Sequence, residues 1–176
     1  MEWTCRCGAF AADIDTRRGT RVVCYCNSCR DFWARTGATG ALDAAGGSDL
    51  FQVAPEQVRF VRGAEGLAWL RLTEKGPARW VTTCCNTPVA NTLLSPGLPF
   101  VTMMSHRFAD PAALGQVRAR VFKQFATGTA PEGGTGAAAL MWSFAGRALR
   151  SRLTGGWKQN PFFRDGKPIG PRREAA

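Results

Sequence analysis

The sequence predicts a mainly β protein built from small antiparallel sheets, with two C-terminal α-helices. Short segments rich in β-branched and aromatic residues recur up to residue 107, and glycine and proline separate them. This spacing is typical of antiparallel, all-β cores. Apolar residues take up a helical spacing only after residue 109.

The first predicted element is a hairpin between Ala9–Asp15 and Arg21–Tyr25, which would bring an early cysteine pair towards a later cluster. The segment Asp31–Gly47 is rich in glycine, alanine and threonine and is predicted to form a loop or short helix. Short strands are then predicted at Leu50–Val53, Val58–Arg62, Leu67–Thr73, Arg79–Thr83 and Phe100–Arg107.

Two helices are predicted in the C-terminal third. The first begins at Asp110-Pro111, an N-cap followed by proline, and continues through apolar residues at helical spacing to Phe125. The second runs from about Ala137 to Leu153. We expect its apolar side to pack on the β domain and its other side to carry the arginines Arg147, Arg150 and Arg152.

These patterns divide the chain into a β domain at 1–108, a helical extension packed on it at 109–156, and a basic, partly flexible tail at 157–176. The formal net charge is +10, and residues 141–176 contribute eight Lys/Arg and two acids. Contact of this basic region with an anionic membrane or a nucleic acid is a weaker alternative to packing, since no nucleic-acid motif accompanies the charge.

No apolar run is long enough to cross a bilayer, and the first residues lack the pattern of a signal peptide. The seven cysteines are an odd number and lie in tight clusters. Both observations favour a cytoplasmic protein whose cysteines bind metal over a disulfide framework.

The central cysteine motif is C-x-C-x-x-C, formed by Cys24, Cys26 and Cys29. Three thiolates can converge on one soft or borderline cation and leave a fourth coordination position open, which distinguishes a working zinc from a structural one. The alternatives are an internal disulfide with one spare thiol, or three packed thiols.

Two further cysteine pairs flank this motif. Cys5 and Cys7 form a C-x-C-G sequence, and Cys84 and Cys85 are followed by Asn-Thr-Pro. In this order the three motifs resemble the glutathione-dependent formaldehyde-activating enzyme family, which is related to the zinc-binding domain of centromere protein V. The resemblance covers roughly residues 3–107.

The resemblance implies a β-tent-like zinc-binding fold with two zinc positions. A structural zinc would be held by the first C-x-C and the late cysteine turn. A labile, catalytic zinc would be held by Cys24, Cys26 and Cys29, where the family's enzymes bind glutathione and form S-hydroxymethylglutathione from formaldehyde. This is carbon–sulfur lyase chemistry, with a small-molecule thiol and an aldehyde as partners.

The late turn departs from the family pattern C-x-x-C-G-T-P. When Thr87-Pro88 is aligned with the T-P of this pattern, Cys85 takes the position of its second cysteine. The position of its first cysteine is then occupied by Thr82, which has no thiol. The structural site then uses four thiols, three thiols, or no metal at all. We favour four, because closed structural zinc sites are almost always tetrahedral. The expected ligands are Cys5, Cys7, Cys84 and Cys85.

Glutathione carries two carboxylates and an ammonium group, so binding residues are expected beside the central motif. The nearest candidates in sequence are Arg30, Arg35 and Trp33. Solvated surface arginines and a core tryptophan are the simpler interpretations. Because it has only three protein ligands, the zinc here is expected to be more labile and more exposed than the structural one.

A different function class is a zinc-binding module without catalysis, whose basic C-terminal helix binds a partner, a membrane surface or a nucleic acid. The altered late turn and the C-terminal extension favour this alternative, since a fold does not by itself imply a function.

Overall fold

The computed structural model describes residues 1–95 and 97–174. This part of the chain contains two α-helices, α1 (Asn27–Arg35) and α2 (Ala137–Leu153). Its strands are β1 (Glu2–Thr4), β2 (Ala11–Ile14), β3 (Thr20–Cys24), β4 (Ser48–Val53), β5 (Val58–Arg62), β6 (Leu67–Leu70), β7 (Ala78–Thr82), β8 (Pro88–Thr92), β9 (Val101–Met104), β10 (Ala119–Val121), β11 (Phe163–Arg164) and β12 (Lys167–Pro168). The predicted mainly β class is confirmed.

The strands form three sheets. The largest has seven strands in the order β10-β3-β4-β9-β8-β7-β6, antiparallel throughout except for the parallel pair β10 and β3. A second sheet has the order β1-β2-β5, and β11 pairs with β12. The bounds of β5 and α2 agree with the prediction, since both segments have clear local patterns and end at glycine or turn residues.

The predicted hairpin between β2 and β3 is wrong, because the two strands belong to different sheets. β2 pairs with β1 and β5, whereas β3 pairs with β4 and β10. The connection passes Gly19, where an added Cβ would clash with the ring of Phe51. The chain therefore crosses from one sheet to the other at Gly19, and the two cysteine regions stay separate.

The predicted helix from residue 110 to 125 is also wrong. The Asp110 side chain does cap Ala112 and Ala113, but a single 3-10 turn follows and ends at Gly115, which has φ of +77°. The chain then becomes extended as β10 and covers the free edge of β3 with parallel hydrogen bonds. Pairing with an open strand edge has overridden the local helical pattern.

The C-terminal segment, expected to be a basic and partly flexible tail, packs on the core at several residues. Phe162 is fully buried, with its ring 5.0 Å from the rings of both Phe60 and Trp80. Farther on, Trp69 exchanges backbone hydrogen bonds with Pro171 and Arg173. Residues as far as Arg173 thus complete the main β structure.

Helix α2 is docked by a narrow stripe, not by the wide apolar side predicted for it. Phe144 packs edge-on against Phe100, and Arg147 points inward, donating hydrogen bonds to Thr20 and Gln52. Most of its large apolar residues face solvent: Met141, Trp142, Leu149 and Leu153. None of the helices described is long and apolar enough to span a membrane.

Candidate metal centres and an adjoining cavity

Four cysteines from two distant parts of the chain form one cluster. The Sγ of Cys84 lies 3.3 Å from that of Cys7, 3.9 Å from that of Cys5 and 3.7 Å from that of Cys85. Four sulfurs around a tetrahedral zinc, each about 2.3 Å from the ion, are about 3.8 Å apart. This four-Cys cluster therefore has the size that a closed metal site requires, and it can hold a metal ion.

A tight turn between β7 and β8 allows the adjacent cysteines to share this cluster. Asn86 adopts a left-handed conformation with φ of 53°, which asparagine tolerates better than most residues. Although burial raises the pKa of Cys85, hydrogen bonds with the hydroxyls of Thr82 and Thr87 lower it to about 5. Thr82 thus supports the thiolate of Cys85 from the position where the family pattern has a cysteine.

The second cluster lies where β3 leads into α1. Cys24 ends the strand, Cys26 is the N-cap residue of the helix, and Cys29 lies in its first turn. The Sγ atoms of Cys24 and Cys26 are 3.4 Å apart, and all three sulfurs lie within 4.8 Å of one another. This three-Cys cluster can also hold a metal ion, and it offers one ligand fewer than a tetrahedral ion takes.

The three thiols differ strongly in acidity. Hydrogen bonds from Cys24 and Cys29 lower the pKa of Cys26, and the positive charge of Arg79 lowers it further. Hydrogen bonds with Cys26 and Cys29, together with burial, raise the pKa of Cys24, and the pKa of Cys29 is raised as well, so Cys26 is the first thiol of the cluster to ionise. The position of Cys26 at the N-terminus of α1 also favours a thiolate.

Arg79 is a buried cation beside this cluster. Only 3% of its surface is exposed, and its guanidinium donates hydrogen bonds to Asn91 and Ser28 at 3.0 and 2.7 Å. It also lies over the ring of Phe32. Among the described residues, no carboxylate forms an ion pair with it. Three thiolates with a divalent cation carry one net negative charge, which Arg79 would balance.

The three-Cys cluster is the less exposed of the two, contrary to expectation. Cys24 and Cys29 are buried and Cys26 is partly buried, whereas Cys7 and Cys84 of the four-Cys cluster are exposed. The reason is that β3 and the start of α1 lie within the main core, while the four-Cys cluster is made by two surface turns.

A cavity of about 590 Å³ adjoins the three-Cys cluster, and all three thiols line it. The sheet, the segment after β10 and helix α2 supply the rest of the wall. Its polar lining residues are Ser28, Gln52, Arg79, Asn91, Thr102 and Gln124. The cluster is therefore reached from a cavity of the size that holds small-molecule ligands.

The three binding residues expected beside the motif do not line this cavity. Arg30 donates hydrogen bonds to the backbone carbonyls of Tyr25 and Phe125, which fixes a loop. Trp33 is a core residue bonded to Ser48, and Arg35 is exposed at the far end of α1.

The polar residue that does lie at the cluster is Arg79, which the sequence did not single out for this role. The available signal was a charged residue between the apolar residues Ala78 and Trp80 of a strand, since an arginine is almost never fully buried without a partner.

Comparisons with known proteins give a family and a distant structural likeness. No curated protein matches the sequence. The crystal structure of a Rhodobacter sphaeroides protein, a Northeast Structural Genomics target, is similar over 66% of this chain and 97% of its own, at 20% identity and a TM-score of 0.45. That likeness is too distant to carry an argument. The model of the "Family of unknown function (DUF6151)" matches residues 1–172, and the chain therefore belongs to that family.

Proposed function

We propose that this protein binds a small-molecule thiol at a zinc ion in the three-Cys cluster and adds it to formaldehyde or another small aldehyde. The observation that carries the proposal is a cluster of three thiols, one short of a tetrahedral set, that lines a ligand-sized cavity. The motif resemblance to the glutathione-dependent formaldehyde-activating enzymes supports it and suggests glutathione as one thiol to test.

The four-Cys cluster has a different role in this proposal. Its four thiols complete a tetrahedral set, so no coordination position is left for a substrate. Cys5 and Cys7 follow β1 of the small sheet, and Cys84 and Cys85 lie in a turn of the large sheet. A zinc ion held there would tie the two sheets together and stabilise the fold.

The chemistry at the three-Cys cluster is an addition without redox change. A zinc ion held by Cys24, Cys26 and Cys29 would lower the pKa of a coordinated substrate thiol and so supply a thiolate at neutral pH. The thiol sulfur forms a bond to the carbonyl carbon, the carbonyl π bond breaks, and the thiol proton ends on the new hydroxyl group. The product is a thiohemiacetal, and its reversal is carbon–sulfur lyase activity.

The protein's own residues prepare the cluster for this reaction. Arg79, held in place by Asn91 and Ser28, places a fixed positive charge beside Cys26 and Cys29 and so favours their thiolate forms. Because the arginine is already bonded and buried, little reorganisation is needed when negative charge gathers nearby. Cys24 and Cys29 are buried in the cavity wall, which limits the access of water to these two thiols.

The test is a titration of cobalt-substituted protein with thiols, glutathione and an alkanethiol among them. We expect a thiol to change the absorption bands of cobalt at the three-Cys cluster and leave those of the four-Cys cluster unchanged. The Cys26→Ser variant should lose the response, whereas Cys7→Ser, altered at the other cluster, should keep it. Gel filtration after each titration checks that the thiol has not removed the metal.

A second measurement separates binding from catalysis. The rate of thiohemiacetal formation with formaldehyde is compared with and without zinc-loaded protein. Acceleration that Cys26→Ser abolishes is the expected result. Thiol binding without acceleration would favour the non-catalytic zinc module, and a cobalt spectrum that no thiol changes would contradict the proposal.

A further inference from the structure

We infer that the thiol bound here has an apolar body, so that an alkyl or aryl thiol is preferred over a peptide thiol such as glutathione. The inference rests on the proposed function and adds the class of substrate to it. It is carried by three features of the cavity: the chemistry of its wall, the pairing of its polar groups, and its exposed rim.

Most of the cavity wall is hydrocarbon. Apolar residues come from the central strands, from the segment after β10 and from helix α2. A methylene group moved from water to such a surface gains about fourfold in affinity. Among the apolar lining residues are Val22 and Leu50 of the sheet, Val121 and Phe122 at the end of β10, and Leu140 and Met141 of α2.

The polar groups of the wall are largely bonded to one another. Arg79 donates to Asn91, whose amide donates in turn to Thr102 at 3.0 Å. The amide oxygen of Gln52 accepts a hydrogen bond from Arg147 at 2.9 Å. These bonds hold the wall in shape and leave the buried Nε of Arg79 as one unpaired donor, which is little for a ligand with several charges.

Glutathione would be poorly matched to this wall. Its ammonium group needs an acceptor, and its two carboxylates need donors or cations. The described residues of the lining include no aspartate or glutamate. Their one cation, Arg79, already uses both terminal nitrogens and has only its buried Nε unpaired, which is too few donors for two carboxylates. Charged groups that lose water without gaining partners reduce affinity, so glutathione would have to leave its charged ends outside the cavity.

The rim of the cavity is apolar as well. Phe122 and Met141 line the cavity and yet are 51% and 61% exposed. Phe122 also has φ of 58°, a left-handed conformation that is strained for a bulky residue. An apolar ligand entering the cavity would cover both side chains, which a highly charged ligand would not do favourably.

The experiment compares thiols of increasing apolar length on the cobalt-substituted protein: 2-mercaptoethanol, 1-butanethiol, 1-hexanethiol and glutathione. Kd is read from the change in the cobalt absorption. We expect affinity to rise about twofold to fourfold per methylene from butanethiol to hexanethiol. Glutathione should bind at least about tenfold more weakly than hexanethiol.

A matched pair of variants on helix α2 tests whether the apolar thiol binds at the rim of the cavity. Met141→Glu places a charge at the rim, and we expect it to weaken hexanethiol binding about tenfold or more while 2-mercaptoethanol is little affected. Leu149→Glu is the control, because Leu149 has the same 61% exposure on the same helix but does not line the cavity.

The possible outcomes distinguish the preference for an apolar thiol from the proposed function itself. Glutathione binding as tightly as hexanethiol, or equal effects of the two variants, would overturn the inference and leave the proposed function standing. A cobalt spectrum that none of the four thiols changes would overturn both. A length-dependent series disturbed only by Met141→Glu would support both.

Discussion

At the scale of single residues, the cysteine ligands and Arg79 show what local spacing can and cannot reveal. The C-x-C-x-x-C pattern was enough to predict the three-Cys cluster, because a strand end and the first helical turn fix its geometry over six residues. Arg79 reaches Ser28 across 51 positions in the sequence. Such a contact depends on strand order in the sheet, which no local pattern encodes.

Arg79 also provides the first test at this scale. Replacing it with leucine removes the positive charge beside the thiolates, and we expect the three-Cys cluster to bind metal about 10-fold to 100-fold more weakly. Arg79→Lys should retain part of the affinity, since it keeps the charge but not both hydrogen bonds.

Affinity is measured by competition with a chelator of known affinity. Arg35→Leu serves as the control, because Arg35 is an exposed arginine at the far end of α1. If Arg79→Leu and Arg35→Leu hold metal equally well, Arg79 has no part in the cluster.

At the scale of elements, the predicted strands and helices were correct where the sequence pattern itself marks their ends. They were wrong where the structure depends on pairing with a strand far away in the sequence. The strand Val58–Arg62 and the helix Ala137–Leu153 end at glycine or turn residues that the sequence shows directly. The segment 110–125 has apolar residues at helical spacing but pairs with β3 instead. The free edge of β3 offered backbone hydrogen bonds that outweighed the helical propensity of this segment.

Helix α2 leaves a face of large apolar side chains in solvent, including Trp142 and Leu153. Contact of this helix with an anionic membrane or a nucleic acid, the weaker alternative from the sequence, stays untested. A vesicle-binding assay with and without anionic lipid tests the membrane contact directly, and the absence of any difference would count against it.

The C-terminal segment supplies a second test. Phe162→Ala should lower the free energy of unfolding by about 3–5 kcal/mol, because the ring is fully buried between Phe60 and Trp80. Phe125→Ala is the control, since Phe125 is an exposed phenylalanine. Urea denaturation measures both, and equal stability of the two variants would show that the tail does not belong to the core.

At the scale of the whole molecule, the two cysteine clusters have different places in the proposed function: one would stabilise the fold and the other would carry the chemistry. The four-Cys cluster joins the end of β1 to the turn between β7 and β8, and so links two sheets through residues almost 80 positions apart. The three-Cys cluster lies where β3 of the large sheet leads into α1, and it lines the cavity. The sequence predicted both sets of ligands, but not their separation or which one is buried.

The claim on which this account depends is that each chain holds two metal ions in separate clusters. Metal analysis of the purified protein, paired with thermal melting, tests it most directly. We predict two zinc ions per chain, one of which is lost in Cys7→Ser together with a clear fall in Tm. Cys26→Ser should also lose one ion, with a smaller fall. A wild-type chain without tightly bound metal, or a Cys7→Ser variant with two ions and an unchanged Tm, would contradict the account.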